Sequence, residues 1–188
     1  MSVNSVEPVP TQLLGIVQTG ALRSTEKLAA LSGAQWSIHV ISMEIGSGER
    51  FRSILARDER EHLGVYFSAP GERYLVIFSQ ESGDALLKTS PLDQPQRRPV
   101  EPGLELPTLA EVANILINGL TCELAERQGM VRLISGPTTA QGKKSDIYEK
   151  AFGGLAALTS ETMVNVLIHI SSPLMAAERT AVRSRIGP

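Results

Sequence analysis

The chain reads as an α+β protein of sandwich type: a pseudo-duplicated antiparallel sheet with two long helices packed on one face. Three observations predict it. Segments 11–32 and 107–128 carry apolar residues at helical spacing. Two β-rich runs flank Ala-Pro-Gly-Glu in "LGVYFSAPGERYLVIFSQES", the pattern of a hairpin. The order helix, strand, hairpin then occurs twice.

In the first helix Leu14, Val17, Ala21, Leu28 and Leu31 share a face, and Gly33 supplies the stop. "QWSIHVISMEI" alternates as a half-buried strand, and "GSGERFRSILARDEREH" is a charged connector with room for a short helix. After the hairpin, "GDALLKTS" is expected to form a brief helical turn. "SPLDQPQRRPVEPGLELP" holds five prolines, too many for a regular element, so 90–106 is an extended connection. The second long helix takes Pro107 in its first turn and stops at Gly129. Beyond it, "MVRLISGP" reads as a strand, "SDIYEKAF" as a short helix, "GLAALTS" and "ETMVNVLIHISSP" as strands, and "LMAAERTAVRSR" as a terminal helix.

Sliding 13–41 onto 109–137 pairs Leu13 with Leu109, Thr25 with Thr121, Leu28 with Leu124, Ala29 with Ala125, Gly33 with Gly129 and Ile38 with Ile134. Six identities are few, but they coincide with the repeated element order. The expected organisation is one domain over 1–188, with pseudo-repeat halves of about 11–89 and 107–188 joined by the Pro-rich stretch, their strands joining one sheet.

Composition narrows the function. The 188 residues are 42% hydrophobic and 20% charged, ordinary for a globular chain long enough to bury a core. Only 4% are aromatic, so that core must be aliphatic. A formal charge of −2 gives no electrostatic reason for a nucleic-acid partner. No apolar run is long enough to span a membrane, and "MSVNSVEPVPTQ" lacks the basic start and apolar stretch of a signal peptide. A single cysteine, Cys122, permits no intrachain disulfide; a cytoplasmic location is expected.

On the second helix Leu109, Val112, Ala113, Leu116 and Leu120 form an apolar stripe, whereas Glu111, Asn114, Asn118 and Thr121 form a second stripe expected to face solvent. A carboxylate and an amide three residues apart are common on any amphipathic helix and carry little weight by spacing alone.

Their surroundings add to this. "EVANILINGLTCELA", with Glu111 and Asn114 followed after twenty-two residues by Pro137 in "LISGPTT", resembles the catalytic helix and signature of the CheC, CheX and FliY family of chemotaxis phosphatases. The resemblance covers nearly the whole chain, since family members are pseudo-symmetric duplications. It departs in two places. Pro107 stands where the signature has Asp or Ser, and Gly15, Gln18 and Ile41 occupy the positions of Glu, Asn and Pro in the first half, so one competent site is implied.

The resemblance implies a phosphatase acting on the aspartyl phosphate of a CheY-type response-regulator receiver, with Glu111 and Asn114 as catalytic residues. The receiver supplies Mg²⁺ and a lysine; the chain itself would bind no cofactor or metal. Asn114 would orient the attacking water through its carbonyl oxygen, and Glu111 would dock the receiver lysine. A second expectation is a non-catalytic adaptor on the same scaffold, binding a receiver, a CheD-type deamidase or the flagellar switch; a homodimer is a further possible assembly. A third is an unrelated α/β domain with a chance signature.

Other signals are weaker. "GPTTAQGKKS" spaces Gly136 and Gly142 one residue too far for a phosphate-binding loop and has Lys144 at the Ser/Thr position. His39 and His169 lie in expected strands and His62 in the charged connector, with no metal-ligand spacing. Cys122 has no neighbouring base.

Overall fold

The computed structural model describes residues 9–89, 105–153 and 162–172. Among them lie five helices and five strands: α1 (Thr11–Ser32), β1 (Ser37–Ser47), α2 (Gly48–Leu55), β2 (Glu61–Ala69), β3 (Glu72–Ser79), α3 (Gln80–Thr89), α4 (Glu105–Gln128), β4 (Thr138–Lys143), α5 (Lys144–Phe152) and β5 (Thr162–Ser171). The α+β class, both long helices, the hairpin and the short helix after β4 are as the sequence predicts. "GLAALTS" and "LMAAERTAVRSR" lie outside the described residues.

Local chemistry sets the boundaries. Gly33 and Gly129 take the left-handed conformation, φ 65° and 62°, that ends α1 and α4. The Ser47 hydroxyl accepts from Arg50 N (3.3 Å) at the start of α2, and the Ser79 hydroxyl accepts from Ser82 N (3.1 Å) at the start of α3. Trp36 folds back on α1, donating Nε1–H to Ser32 Oγ at 2.7 Å.

The strands form two hydrogen-bonded sheets rather than one, β1–β5 and β3–β2–β4, each antiparallel. Three layers result. On one side Leu63, Val65 and Phe67 of β2 meet Leu28 of α1, Leu86 of α3 and Leu109, Val112, Ala113 and Ile115 of α4. On the other, Tyr148, Ala151 and Phe152 of α5 meet Leu55, Tyr66, Leu75 and Met163. Alternation along β2 produces this division: odd-numbered apolar residues face the long helices, while Gly64 and Tyr66 face α5.

Some element boundaries recur at the spacing of the expected repeat. A 96-residue step carries Gly48, the start of α2, onto Lys144, the start of α5. The same step carries Ser47, the end of β1, onto Lys143, the end of β4. Strands are exchanged between the copies, because β1 pairs with β5 and β4 pairs with β2.

The exchange explains why "MVRLISGP" is not the regular strand that its sequence predicts. In β1 the register shifts by one between Val40 and Ser42, leaving Ile41 as an extra residue. In the second copy Thr138 pairs with Tyr66, and the next link is Ser135 N donating to Ser68 O at 2.8 Å. Gly136 and Pro137 therefore stand opposite Phe67 alone, the same one-residue excess at the position equivalent to Ile41. Proline has no N–H for the ladder, and a bulge is where a sheet tolerates it.

The long helices run antiparallel in close contact. A Cβ on Gly119 would fall 2.2 Å from Ser24 Oγ and 2.5 Å from Gly20 O, and one on Gly20 would fall 2.9 Å from Leu120 Cα. Gly119→Ala is expected to destabilise the protein by about 1–3 kcal/mol through this overpacking. Gly136→Ala, where a Cβ meets nothing within 4 Å, should cost under about 0.5 kcal/mol. Urea unfolding midpoints of the two variants test the difference.

Candidate functional site

Helix α4 is buried over more of its circumference than one apolar stripe. Beyond Leu109, Val112 and Ala113, residues Ala110, Ile115 and Ile117 are also buried, because α1 covers one flank and β2 and α3 cover another. Thr121, expected at solvent, is 4% exposed and donates its hydroxyl to Ile117 O at 2.9 Å. Along the middle of the helix a strip at i, i+3, i+7 and i+11 stays accessible: Glu111 exposed, Asn114 and Asn118 half-buried, Cys122 exposed, with the half-buried Leu116 and Leu120 beside it.

Within that strip Asn118 holds Asn114. The Asn118 Nδ2 donates both to Asn114 O at 2.8 Å and to Asn114 Oδ1 at 2.7 Å. This double contact fixes the orientation of the Asn114 amide, and its Oδ1 retains a second acceptor direction. Glu111 makes no hydrogen bond or ion pair with any described residue. Asn118 was legible as a member of the stripe, but its positioning role was not; the i, i+4 spacing from Asn114 was the available signal.

Pro137 is exposed on the bulge, and no hydrogen bond among the described residues joins it to Glu111 or Asn114. Its segment is anchored through Arg132. The Arg132 guanidinium meets the Glu72 carboxylate and donates to Gln128 Oε1 at 2.5 Å, while the Tyr74 hydroxyl donates to Glu72. Burial alone would raise the Glu72 carboxyl; the hydrogen bonds from Tyr74 and Arg132 outweigh it and hold the group below its ordinary value. Burial and the adjacent carboxylate push Tyr74 up to about 12.

The first copy offers no equivalent pair. Gln18 is exposed and Gly15 carries no side chain. Leu22, which stands where Asn118 stands in the second copy, is 58% exposed. The glycine-rich segment is not a phosphate cradle: Lys143 pairs with Glu59, and Lys144 meets Asp58 at 2.9 Å. His62 belongs to β2 rather than to the connector, buried with Nε2 3.2 Å from Asp58 Oδ2. Among the described residues no three His, Cys, Asp or Glu side chains converge on a point that could hold a metal ion. No helix of the described residues is long and apolar enough to cross a membrane.

No family model matches the sequence, and no curated protein matches it. Solved structures do match by shape, and the fold is the one seen in FliY and the FliM middle domain. FliY of Thermotoga maritima superposes with a TM-score of 0.65 at 11% identity, over 88% of this chain and 86% of that one. A chain of the FliG–FliM complex of H. pylori gives 0.58 at 12%, over 87% of each chain. The FliM middle domain of Vibrio alginolyticus gives 0.56 at 12%, over 86% of each chain. At such identities the likeness is one of fold.

The anchoring of 130–137 has a pH sign. A carboxyl held below its ordinary value contributes stability that is present above its unfolded value, near 4.3, and is lost as pH falls through its folded value. Protection of the Ser135 amide, its exchange rate compared with the intrinsic rate at the same pH, should therefore fall as the solution is acidified below that range. Arg132→Gln should lower it at neutral pH by about 2–5-fold, the scale of a partly exposed ion pair, and should flatten the acid response. Hydrogen exchange followed by NMR measures both.

Proposed function

We propose that the protein is a CheC-like phosphatase of chemotaxis-type signalling, hydrolysing the aspartyl phosphate of a receiver domain at Glu111 and Asn114. One observation carries the reading: in a chain with the fold of FliY, the accessible strip of α4 presents this carboxylate and this amide side by side, the amide held in place by Asn118.

An acyl phosphate is labile, and its hydrolysis requires chiefly a water held in line with phosphorus and stabilisation of the phosphoryl charge. Asn114 Oδ1 accepts a hydrogen bond from that water along the direction that Asn118 leaves open. A carboxamide does not titrate usefully, so its contribution is positional. Glu111 makes a charge-assisted contact with the receiver's active-site lysine and sets the partner's orientation. The Mg²⁺ that stabilises the phosphoryl oxygens belongs to the receiver in this reading.

A non-catalytic docking module is the second reading. It is favoured by FliM among the neighbours, one of them from a complex with FliG, and by the loss of the pair from the first copy. Such a module would bind a receiver, a CheD-type deamidase or the flagellar switch without hastening phosphate release.

Asn114→Ala should reduce receiver dephosphorylation by about 100-fold, the scale for losing one pre-organised hydrogen-bonding group, with receiver affinity retained. Asn118→Ala should cost about 3–10-fold by loosening the Asn114 amide. Glu111→Ala should weaken both rate and affinity. The measurements are phosphoryl loss from a cognate receiver and calorimetric binding; an unchanged rate in Asn114→Ala rules the mechanism out.

A further inference from the structure

Two of the three histidines face each other across the junction of the copies. His39 of β1 and His169 of β5 are direct register partners, and both are exposed. Their neighbours in the ladder, Ile38 and Ile170, turn inward to pack against the main core, so alternation directs both imidazoles outward on one face. Residues directly opposite on antiparallel strands have Cβ atoms about 4.5–5.5 Å apart, a span that two imidazoles can close around one ion.

The flanking residues fit such a site. Ser37 and Ser171 are also direct partners, two residues along each strand on the same face. The Ser37 hydroxyl and His39 Nε2 share a 2.6 Å hydrogen bond. In the tautomer in which Nε2–H donates to Ser37 Oγ, Nδ1 carries the available lone pair, the arrangement that orients metal-ligating histidines. Imidazole nitrogen favours Zn²⁺, Ni²⁺ and Cu²⁺ over Mg²⁺ or Ca²⁺.

We propose that His39 and His169 form a two-histidine binding site for a divalent transition-metal ion of the Zn²⁺ type, with water completing its coordination. The ion clamps β1 to β5, one of the two strand pairs that tie the first copy to the second. The site is separate from the Glu111–Asn114 strip and requires no activity of it.

Zn²⁺ titrated calorimetrically into the metal-free full chain should bind one ion per chain and raise the melting temperature, since a ligand bound only to the folded state stabilises it. His39→Ala and His169→Ala should each weaken binding at least tenfold and remove the thermal shift, while their melting temperatures without Zn²⁺ stay unchanged. Cys122→Ser should leave binding intact. Ni²⁺ should broaden the NMR signals of these two imidazoles and spare that of His62. Affinity within twofold of the original chain in either histidine variant, broadening of one imidazole alone, or loss of binding in Cys122→Ser would overturn the site.

Discussion

The backbone contact between α1 and α4 is the constraint on which the rest of the structure depends. Gly20 and Gly119 carry no side chains, so the helices approach until the Ser24 hydroxyl, which donates to Gly20 O of its own helix (2.9 Å), also reaches Ile115 O of α4 (3.2 Å) across the interface. Charge follows the same seam. Arg23 of α1 grips Glu126 at 2.7 and 2.5 Å and reaches Glu123 at 3.2 Å, and Arg127 meets Glu123 at 2.5 Å. Glu123 is thereby buried between two guanidiniums, which pair with its carboxylate oxygens in place of water. Because α1 takes this flank and β2 and α3 take another, the accessible surface along the middle of α4 is narrow, and Glu111 and Asn114 lie on it.

Strand exchange does the corresponding work in the sheets. Each copy lends its first strand to the other, so the short ladders cannot separate without parting the copies. The one-residue irregularities at Ile41 and Pro137 fall 96 residues apart, even though the two residues differ in chemistry. In β1 the extra residue keeps its N–H and the strand continues; at Pro137 the N–H is absent, and Ser135 must link to Ser68 beyond the break, its hydroxyl accepting from Ser68 N at 2.9 Å. The bulge that interrupts the strand is also what holds the motif proline at the surface.

Local features were legible in the sequence. The two helices, their glycine stops and the Pro70–Gly71 hairpin follow from periodicity and turn chemistry, and they sit where the sequence predicts. Pairing between distant segments was not legible: nothing in "SIHVISMEI" or "TMVNVLIHIS" indicates that they are partners or that the strands divide into two sheets. Thr121 was misplaced for a related reason. A polar residue on a polar stripe is expected at solvent, but a neighbouring helix packed by glycine contact covers it, and its hydroxyl is satisfied by Ile117 O instead. Glu111 and Asn114 were singled out in the sequence by the resemblance their surroundings carry, whereas the Asn118 contact that gives Asn114 its orientation required coordinates.

The central claim is that Asn114 presents water to phosphorus. Hydrolysis of a phosphorylated receiver in H₂¹⁸O, with this protein added under conditions where the two associate, tests it most directly. Accelerated release with ¹⁸O in the inorganic phosphate is the predicted result, because in-line attack breaks the P–O bond. Release no faster than from the receiver alone, or ¹⁸O appearing in the aspartate carboxyl, would contradict it.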